Sequence, residues 1–348
     1  MKLKSDLNQE IKQLSLSELI NRVWHLSNYY TDKIALQAFE LQDKNKALIT
    51  AIHYSLCEVL NNSNLRCVTH NELEEEILEL LQNHRIYPTR PFTAAERIDR
   101  GAFVPWKSLK NMIEEFEERV EESDPARRHA LATRAFFRAL ADGELETATP
   151  LENCTIFPDR PFVRHNPYLN RPLVIGLGQT CSAPYVVLTY CLLSMLGGPK
   201  KRILEGGVGC GYHIACMAEL HQSAKLVSCD VRLELCELAG ENIAALDISK
   251  RKCDLSARIE IVHGNVLDHK RFAKERFDLI YLTFMLPKNY SLKNQLELLE
   301  NDGILIAPMG NTHSGSLMLY RKMGKKLETT KVADCSFVPA VLPDFQNI

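Results

Sequence analysis

Ile203-Leu204-Glu205-Gly206-Gly207-Val208-Gly209-Cys210-Gly211-Tyr212 is a short apolar run closed by an acid and followed by glycines at 207, 209 and 211. The pattern predicts a strand that runs into a tight turn and opens a helix. Glycine suits that turn because the backbone must bend sharply and let a nucleoside approach closely. The next acid of interest is Asp230, about 25 positions on, at the end of Lys225-Leu226-Val227-Ser228-Cys229. An acid at the tip of a second strand can accept hydrogen bonds from both ribose hydroxyls. Turn and acid together point to an adenosine-containing cofactor.

Two cofactors compete for such a site. A dinucleotide fold usually carries G-x-G-x-x-G, with pyrophosphate on the helix N-terminus. Here Tyr212 stands where the later glycine would be, and Glu205 would face the pyrophosphate as a second anion. A cationic sulfonium bearing an amino acid suits Glu205 better, so the reading favours S-adenosylmethionine, with NAD as the alternative.

Bulk properties narrow the class. The 348 residues allow two domains or one elaborated domain. Apolar content of 45% and charged content of 25% describe an ordinary globular protein. The net charge of −2 gives no sign of a nucleic-acid or membrane-surface binder. Eleven cysteines include no C-x-x-C pair, and several sit in apolar runs, which favours a reducing compartment. No apolar stretch approaches the roughly 20 residues of a membrane span, and no signal-peptide core follows Met1. The expected location is cytoplasmic.

From about residue 173 strands and helices alternate. Strand candidates are 202–205, 225–229, 258–262, 277–283, 303–308 and 316–321, with helices expected between the first five. This alternation implies an α/β fold of the Rossmann-like kind, a mostly parallel sheet covered on both faces, with ligands beyond the carboxyl ends of the strands. Residues 1–95 read as a helical N-terminal extension, on the spacing of Leu14, Leu19, Ile20, Val23, Leu26 and Tyr30 and of Leu73, Ile77, Leu80 and Leu81. Core packing is the reading for Trp24, Tyr29 and Tyr30, and a solvated face for Glu74, Glu75, Glu76 and Glu79. Within 96–348, the methyltransferase domain of this reading, a helical insert is expected over about 106–165. Leu109, Ile113, Phe116 and Val120 make its apolar stripe, and Ser123-Asp124-Pro125 its helix boundary. Charge pairing is expected between its acidic first helix and Arg127, Arg128, Arg134 and Arg138, with peptide binding as the alternative.

Just upstream of the glycine turn lies Arg171-Pro172-Leu173-Val174-Ile175-Gly176-Leu177-Gly178-Gln179-Thr180-Cys181-Ser182-Ala183-Pro184. A plain account makes Thr180 or Ser182 the cap of a helix with Pro184 in its first turn. That leaves Gly176-x-Gly178-Gln179 without a purpose. At this point the chain resembles protein-L-isoaspartate O-methyltransferases, whose R-P-L-x-I-G-x-G-Q-T-x-S-x-P segment it matches. Leu204-Glu205 with Gly207, Gly209, Gly211 and Tyr212 resembles the family's cofactor loop, and His263-Gly264-Asn265 its H-G-D. Phe277-Asp278, Phe337-Val338-Pro339 and Phe103-Val104-Pro105 resemble further blocks.

The resemblance implies a class I S-adenosylmethionine-dependent methyltransferase that esterifies the free α-carboxylate of an isoaspartyl residue in a peptide or protein. The ester then cyclises to a succinimide that reopens partly to aspartate. It also implies that Ser182, Thr180 and Gln179 aim the substrate. Cofactor contacts fall to Glu205, Gly206, Gly207, Gly209, Gly211, Tyr212, Asp230, Val231, Gly264, Asn265 and Thr283. A carboxylate is already ionised at neutral pH, so alignment and water exclusion suffice and no metal or base is called for. His165, His213 and His263 are read as structural. Cys181 and Cys210 lie near the expected cofactor.

Three departures stand out: Leu177 replaces a histidine, Asn265 replaces an aspartate whose contact with the adenine amino group its carbonyl could still supply, and Phe284-Met285-Leu286 replaces small residues beside the substrate. The readings carried forward are repair of isoaspartyl proteins, a dedicated carboxyl methyltransferase of the same fold, and an adaptor with a relic site. Dimerisation or partner docking through the N-terminal helices accompanies the second.

Overall fold

The structure, a computed structural model, describes residues 94, 97–147, 162–167, 171–246, 254–268, 270–324 and 326–343. The expectations for residues 1–93 lie outside them. In chain order, β1 (Lys107–Ser108), helices α1 (Leu109–Glu117) and α2 (Pro125–Ala141), and strands β2 (Leu145–Thr147) and β3 (Phe162–His165) form a small unit. Ser108 caps α1 by accepting from the Asn111 N–H, and Asp124 caps α2 with Pro125 in its first turn, as its sequence predicts. The strands pair antiparallel in the order β1-β3-β2, so the insert carries a small sheet beside its two helices.

The core of this unit is Met112, Phe136, Ala139, Leu145 and Val163, with Ile113 and Phe116 at its edge. The seam of α1 is thus centred on Met112 rather than on the predicted stripe. Beside it Glu115 is buried against Lys107, Arg119 and His165. Burial opposes its charge, but bonds from His165 and Lys107 outweigh that and hold the carboxyl down at about 2. The predicted charge pairing is mostly not formed. Among the described residues His129 pairs with Glu117 and Arg128 donates to the Glu122 carbonyl, but Arg138 pairs with Asp142 of its own helix end. Packing of Met112 against Phe136 decides which way α2 faces, and Arg127, Arg134 and Arg138 fall on the exposed side.

Next come the hairpin β4 (Leu173–Gly176) and β5 (Gln179–Cys181), then α3 (Pro184–Ser194). Thr180 lies in β5, and Ala183 rather than Ser182 precedes the helix, its carbonyl closing the first turn with Val186 and Val187. The capping expectation for Thr180 and Ser182 therefore does not hold. Pro184 brings no N–H that a cap would need to satisfy.

The main sheet is built from β6 (Arg202–Gly206), β7 (Lys225–Asp230), β8 (Ile259–His263), β9 (Phe277–Leu282), β10 (Leu286–Pro287), β11 (Leu299–Gly310), β12 (Ser314–Met323) and β13 (Lys326–Ser336). Its order is β13-β12-β11-β9-β6-β7-β8, with β10 beside the end of β11. Pairs among β6, β7, β8, β9 and β11 are parallel, and β12 and β13 add antiparallel edges. Helices α4 (Tyr212–Leu220) and α5 (Leu233–Ala244) connect the first three strands. One apolar cluster covers each face of the sheet, which is why β6 and β7 read as nearly unbroken buried runs.

The helix expected between β8 and β9 is absent: the described residues from 264 to 276 form turns. Asn265 and Asp268 accept from the Leu267 and Lys270 N–H groups, so side chains supply what a helix would. Between β9 and β11 the chain holds β10 and one short helix, α6 (Lys293–Glu297). The chain moves outward from β6 to β8 and then returns to β9 on the other side of β6. A crevice must open at this reversal, beyond the strand ends. Among the described residues no helix is long and apolar enough to cross a membrane.

Candidate active site

A cavity of about 1000 Å³ fills that crevice. Three of its walls come from residues predicted by sequence. The β4–β5 hairpin and the link to α3 contribute Gln179, Thr180 and Ser182; the glycine loop contributes Gly207, Gly209 and Tyr212; the ends of β7, β8 and β9 contribute Asp230, Val231, Gly264, Asn265 and Thr283. Glu205, Gly206 and Gly211 do not line the cavity; they lie directly behind its wall and shape it.

The glycine loop is fixed from both sides. Gly207 has φ of +93°, and a Cβ there would sit 2.3 Å from the Thr283 Oγ1. That hydroxyl lies 3.0 Å from the Gly206 carbonyl and 2.8 Å from the Gly207 carbonyl, so Thr283 braces the loop as well as facing the cavity. Asp230 accepts from the Gly209 N–H at 3.2 Å and from the Arg232 N–H at 3.1 Å. Burial pushes its carboxyl upward, opposed by these backbone donors.

Glu205 is fully buried within β6, its carboxylate accepting from the Ser228 hydroxyl of β7. It therefore does not present itself to a ligand as its place in the motif predicts. Burial raises its pKa to about 8, against the opposing Ser228 and Tyr281 hydroxyls. An acid whose pKa is higher folded than unfolded binds more protons in the folded state, so stability falls as pH rises from about 4.5 to about 8. Relative to Glu205→Gln, the wild type is expected to lose on the order of 4 kcal/mol across that window, read from urea unfolding at several pH values. Parallel pH profiles for the two proteins would refute the assignment.

The substrate-side hairpin hangs on Arg100. This buried guanidinium donates to the Arg171, Cys181 and Ser182 carbonyls at 3.1, 3.3 and 2.9 Å. Cys181 and Cys210, both free and buried, line the cavity, and the Cys181 thiol donates to the Ser182 carbonyl at 3.8 Å. The bond from Cys210, helped by Arg100, holds the Cys181 thiol low despite burial, and the same bond with burial pushes Cys210 up.

A fourth wall carries most of what sequence reading missed. Asn311, His313 and Ser314 from the β11–β12 turn, with Asp334 and Ser336 from β13, close the side opposite Asp230. The polar turn after the predicted 303–308 strand was the available signal. The Phe337-Val338-Pro339 block continues that wall and is tied back to the end of β9: Met285 N–H donates to the Val338 carbonyl at 2.7 Å, and Ala340 N–H to the Met285 carbonyl at 2.9 Å. This tie buries Met285, and Leu286 is buried in β10. Of the three bulky residues expected to narrow the pocket, only Phe284 lines it.

Asn265 is also engaged. Its Nδ2 donates to the Val341 carbonyl at 2.8 Å, and its Oδ1 accepts from Leu267. An aspartate at this position would set a carboxylate against that carbonyl, so the residue that departs from the family pattern matches the segment it holds. His165 bonds Glu115 far from the cavity, and His263 lies by the Val231 carbonyl; His213 differs, because it lines the cavity.

The sequence model of the protein-L-isoaspartate(D-aspartate) O-methyltransferase (PCMT) family matches residues 153–343, over half of the chain. Over 179 residues the chain is 31% identical to Protein-L-isoaspartate O-methyltransferase 2 of Archaeoglobus fulgidus, covering 51% of this chain and 75% of the relative. Protein-L-isoaspartate O-methyltransferase 1 of the same organism is 37% identical over 159 residues, 45% of this chain and 68% of the relative. The Fervidobacterium nodosum protein-L-isoaspartate O-methyltransferase is 32% identical over 179 residues, 51% of this chain and 83% of the relative. The chain belongs to the protein-L-isoaspartate(D-aspartate) O-methyltransferase family.

Proposed function

We propose that this chain is an S-adenosylmethionine-dependent carboxyl O-methyltransferase that acts on the α-carboxylate of isoaspartyl residues in peptides and proteins. The observation that carries the reading is the meeting, in one cavity, of the Gln179–Ser182 segment with the glycine loop and Asp230. The cavity fits an adenosine ligand because Gly207 leaves the loop backbone bare on a side where any Cβ would be blocked, and Asp230 offers a carboxylate at the wall. When bound, S-adenosylmethionine supplies an electrophilic methyl group.

Asp230 and Val231 would hold the ribose edge, Gly207 and Gly209 the backbone cradle, and Gly264 and Asn265 the adenine side. Thr180 and Ser182 orient the incoming carboxylate through their hydroxyls, and Gln179 shapes the same strand. No side chain has to remove a proton, because the attacking carboxylate is ionised at neutral pH. The barrier is lowered by alignment and by the apolar surfaces of Phe284 and Phe337 that keep water from the reacting atoms.

Phe284 favours a second, narrower reading in which one dedicated peptide is preferred. Residues 1–95 are assigned in that reading to partner docking or to contact with a second copy, and a cytoplasmic location is proposed with it, supported by the cysteine usage. The test is methyl transfer from labelled S-adenosylmethionine to matched peptides bearing isoaspartate, aspartate or neither. Base-labile label on the isoaspartyl peptide alone is the expected result. Label on none of them, with cofactor bound, would favour the dedicated substrate.

A further inference from the structure

The short turn Arg100–Phe103 precedes the stretch that the family model matches, yet it reaches both sides of the cavity. Its backbone is pinned from outside. Asp99 accepts from the Gly101 N–H at 2.9 Å, and Arg164 of β3 donates to the Gly101 carbonyl at 2.6 Å. On the substrate side Arg100, only 2% exposed, donates to the Pro167 carbonyl at 2.5 Å as well as to those of Arg171, Cys181 and Ser182. On the cofactor side its guanidinium carbon lies 6.0 Å from the centre of the Tyr212 ring. Phe103 packs on the same ring, with centroids 5.5 Å apart at 59°. Cys181, Ser182 and Tyr212 all line the cavity, so one turn grips both of its sides.

Stability alone does not call for such a residue. Burying a guanidinium costs free energy that an apolar side chain of similar volume avoids, and its bonds only offset that cost. What the arginine provides is geometry: a planar fork of N–H groups meets several carbonyls at once in fixed directions. Two of those carbonyls, at Cys181 and Ser182, are consecutive in the cavity wall. Shifting them leaves buried donors unsatisfied, so the Ser182 backbone is held in place relative to Tyr212. The Ser182 hydroxyl is carried on that backbone.

We propose that Arg100 is a positioning residue for methyl transfer, which acts through Ser182 to hold the substrate hairpin in register with the cofactor loop. The proposal rests on the reading of Ser182 as a group that orients the incoming carboxylate. Arg100 itself lies behind the residues that line the cavity. Its effect lies in alignment, where a shift of about 1 Å in a supporting residue costs about 100-fold in rate. Cofactor bound against Tyr212 then stiffens the hairpin that receives the substrate.

A double-mutant cycle of Arg100→Lys and Ser182→Ala tests this, with methyl transfer to an isoaspartyl peptide and calorimetry of S-adenosylhomocysteine as readouts. Lysine keeps the charge but not the fork, so it cannot reproduce the bonds together. Arg100→Lys is expected to lower kcat by about 30-fold, with KM and S-adenosylhomocysteine affinity within about threefold of wild type. In the Ser182→Ala background the same change should cost less than about threefold, because the group it aligns is already gone. Equal losses in both backgrounds, or none in either, would overturn the proposal. Should Arg100→Lys fail to fold, Phe103→Leu, which weakens the grip on Tyr212, is carried through the same cycle.

Hydrogen exchange reads the same coupling without turnover. Saturating S-adenosylhomocysteine should slow exchange of the hairpin amides between Leu173 and Ser182 by about tenfold or more in wild type, and by about twofold or less in the variant. Equal slowing in the two proteins at equal saturation overturns the link through Arg100. Should the wild type itself not methylate isoaspartyl peptides, the functional reading fails separately, and this comparison alone decides the role of Arg100.

Discussion

Gly207→Ala is expected to weaken S-adenosylhomocysteine binding by about 100-fold or more and to lower the melting temperature. Two costs combine. A left-handed backbone conformation disfavours alanine by roughly 1–2 kcal/mol. The larger cost is steric: the new Cβ would lie 2.3 Å from the Thr283 Oγ1, and that hydroxyl is itself bonded to the loop it would collide with. Either the loop or the end of β9 must move, and both are walls of the cavity. Gly207→Ala/Thr283→Ala should recover part of the stability, since the Thr283 Cβ is 3.7 Å from where the alanine methyl would lie and makes ordinary contact. Full cofactor affinity would not return, because the backbone strain remains. Calorimetry and thermal melts on the two variants check both statements, and a single variant with normal affinity would refute the account of the loop.

Asp230→Ala is expected to cost about 30- to 100-fold in S-adenosylhomocysteine affinity, roughly 2–3 kcal/mol. One substitution removes two things together: the acceptor that satisfies the Gly209 and Arg232 N–H groups, and, in the proposed reading, the acceptors for a ribose. A 2′,3′-dideoxyribose analogue of the ligand separates them. If Asp230 acts through the ribose, the variant and wild type bind the analogue nearly equally. If the whole loss persists with the analogue, the residue acts only by shaping the loop.

Much of this site was legible because the turn chemistry of residues 203–212 is local. Glycine positions, strand ends and the acid at Asp230 follow from neighbours in sequence, and the strands from 202 onward fall within a few residues of expectation at most ends. Glu205 shows where this stops. In a strand covered on both faces every position is buried, so periodicity identifies the strand but not which way the acid points. The last strand, Lys326–Ser336, escaped notice because much of its length is exposed at a sheet edge and lacks an apolar pattern. The strands of the insert are 2–4 residues long, too short for any period to register. Met285 and Leu286 looked like pocket residues because they follow β9 directly. Leu286 is in fact buried in β10 beside the end of β11, and the pairing that buries Met285 comes from residues 338–340, far away along the chain.

That pairing also bears on how the protein matures during synthesis. The glycine loop, Asp230 and the β6–β9 neighbourhood are all made well before residues 334–341 leave the ribosome, yet the cavity lacks a wall until the stretch from Phe337 to Val341 is stitched to Met285 and Asn265. A nascent chain halted before that point could fold most of its parallel sheet and still present an open trough. Cofactor retention therefore reports completion of the domain rather than the mere presence of its nucleotide-binding half, and a fragment or fusion that ends before residue 341 is a poor proxy for the enzyme.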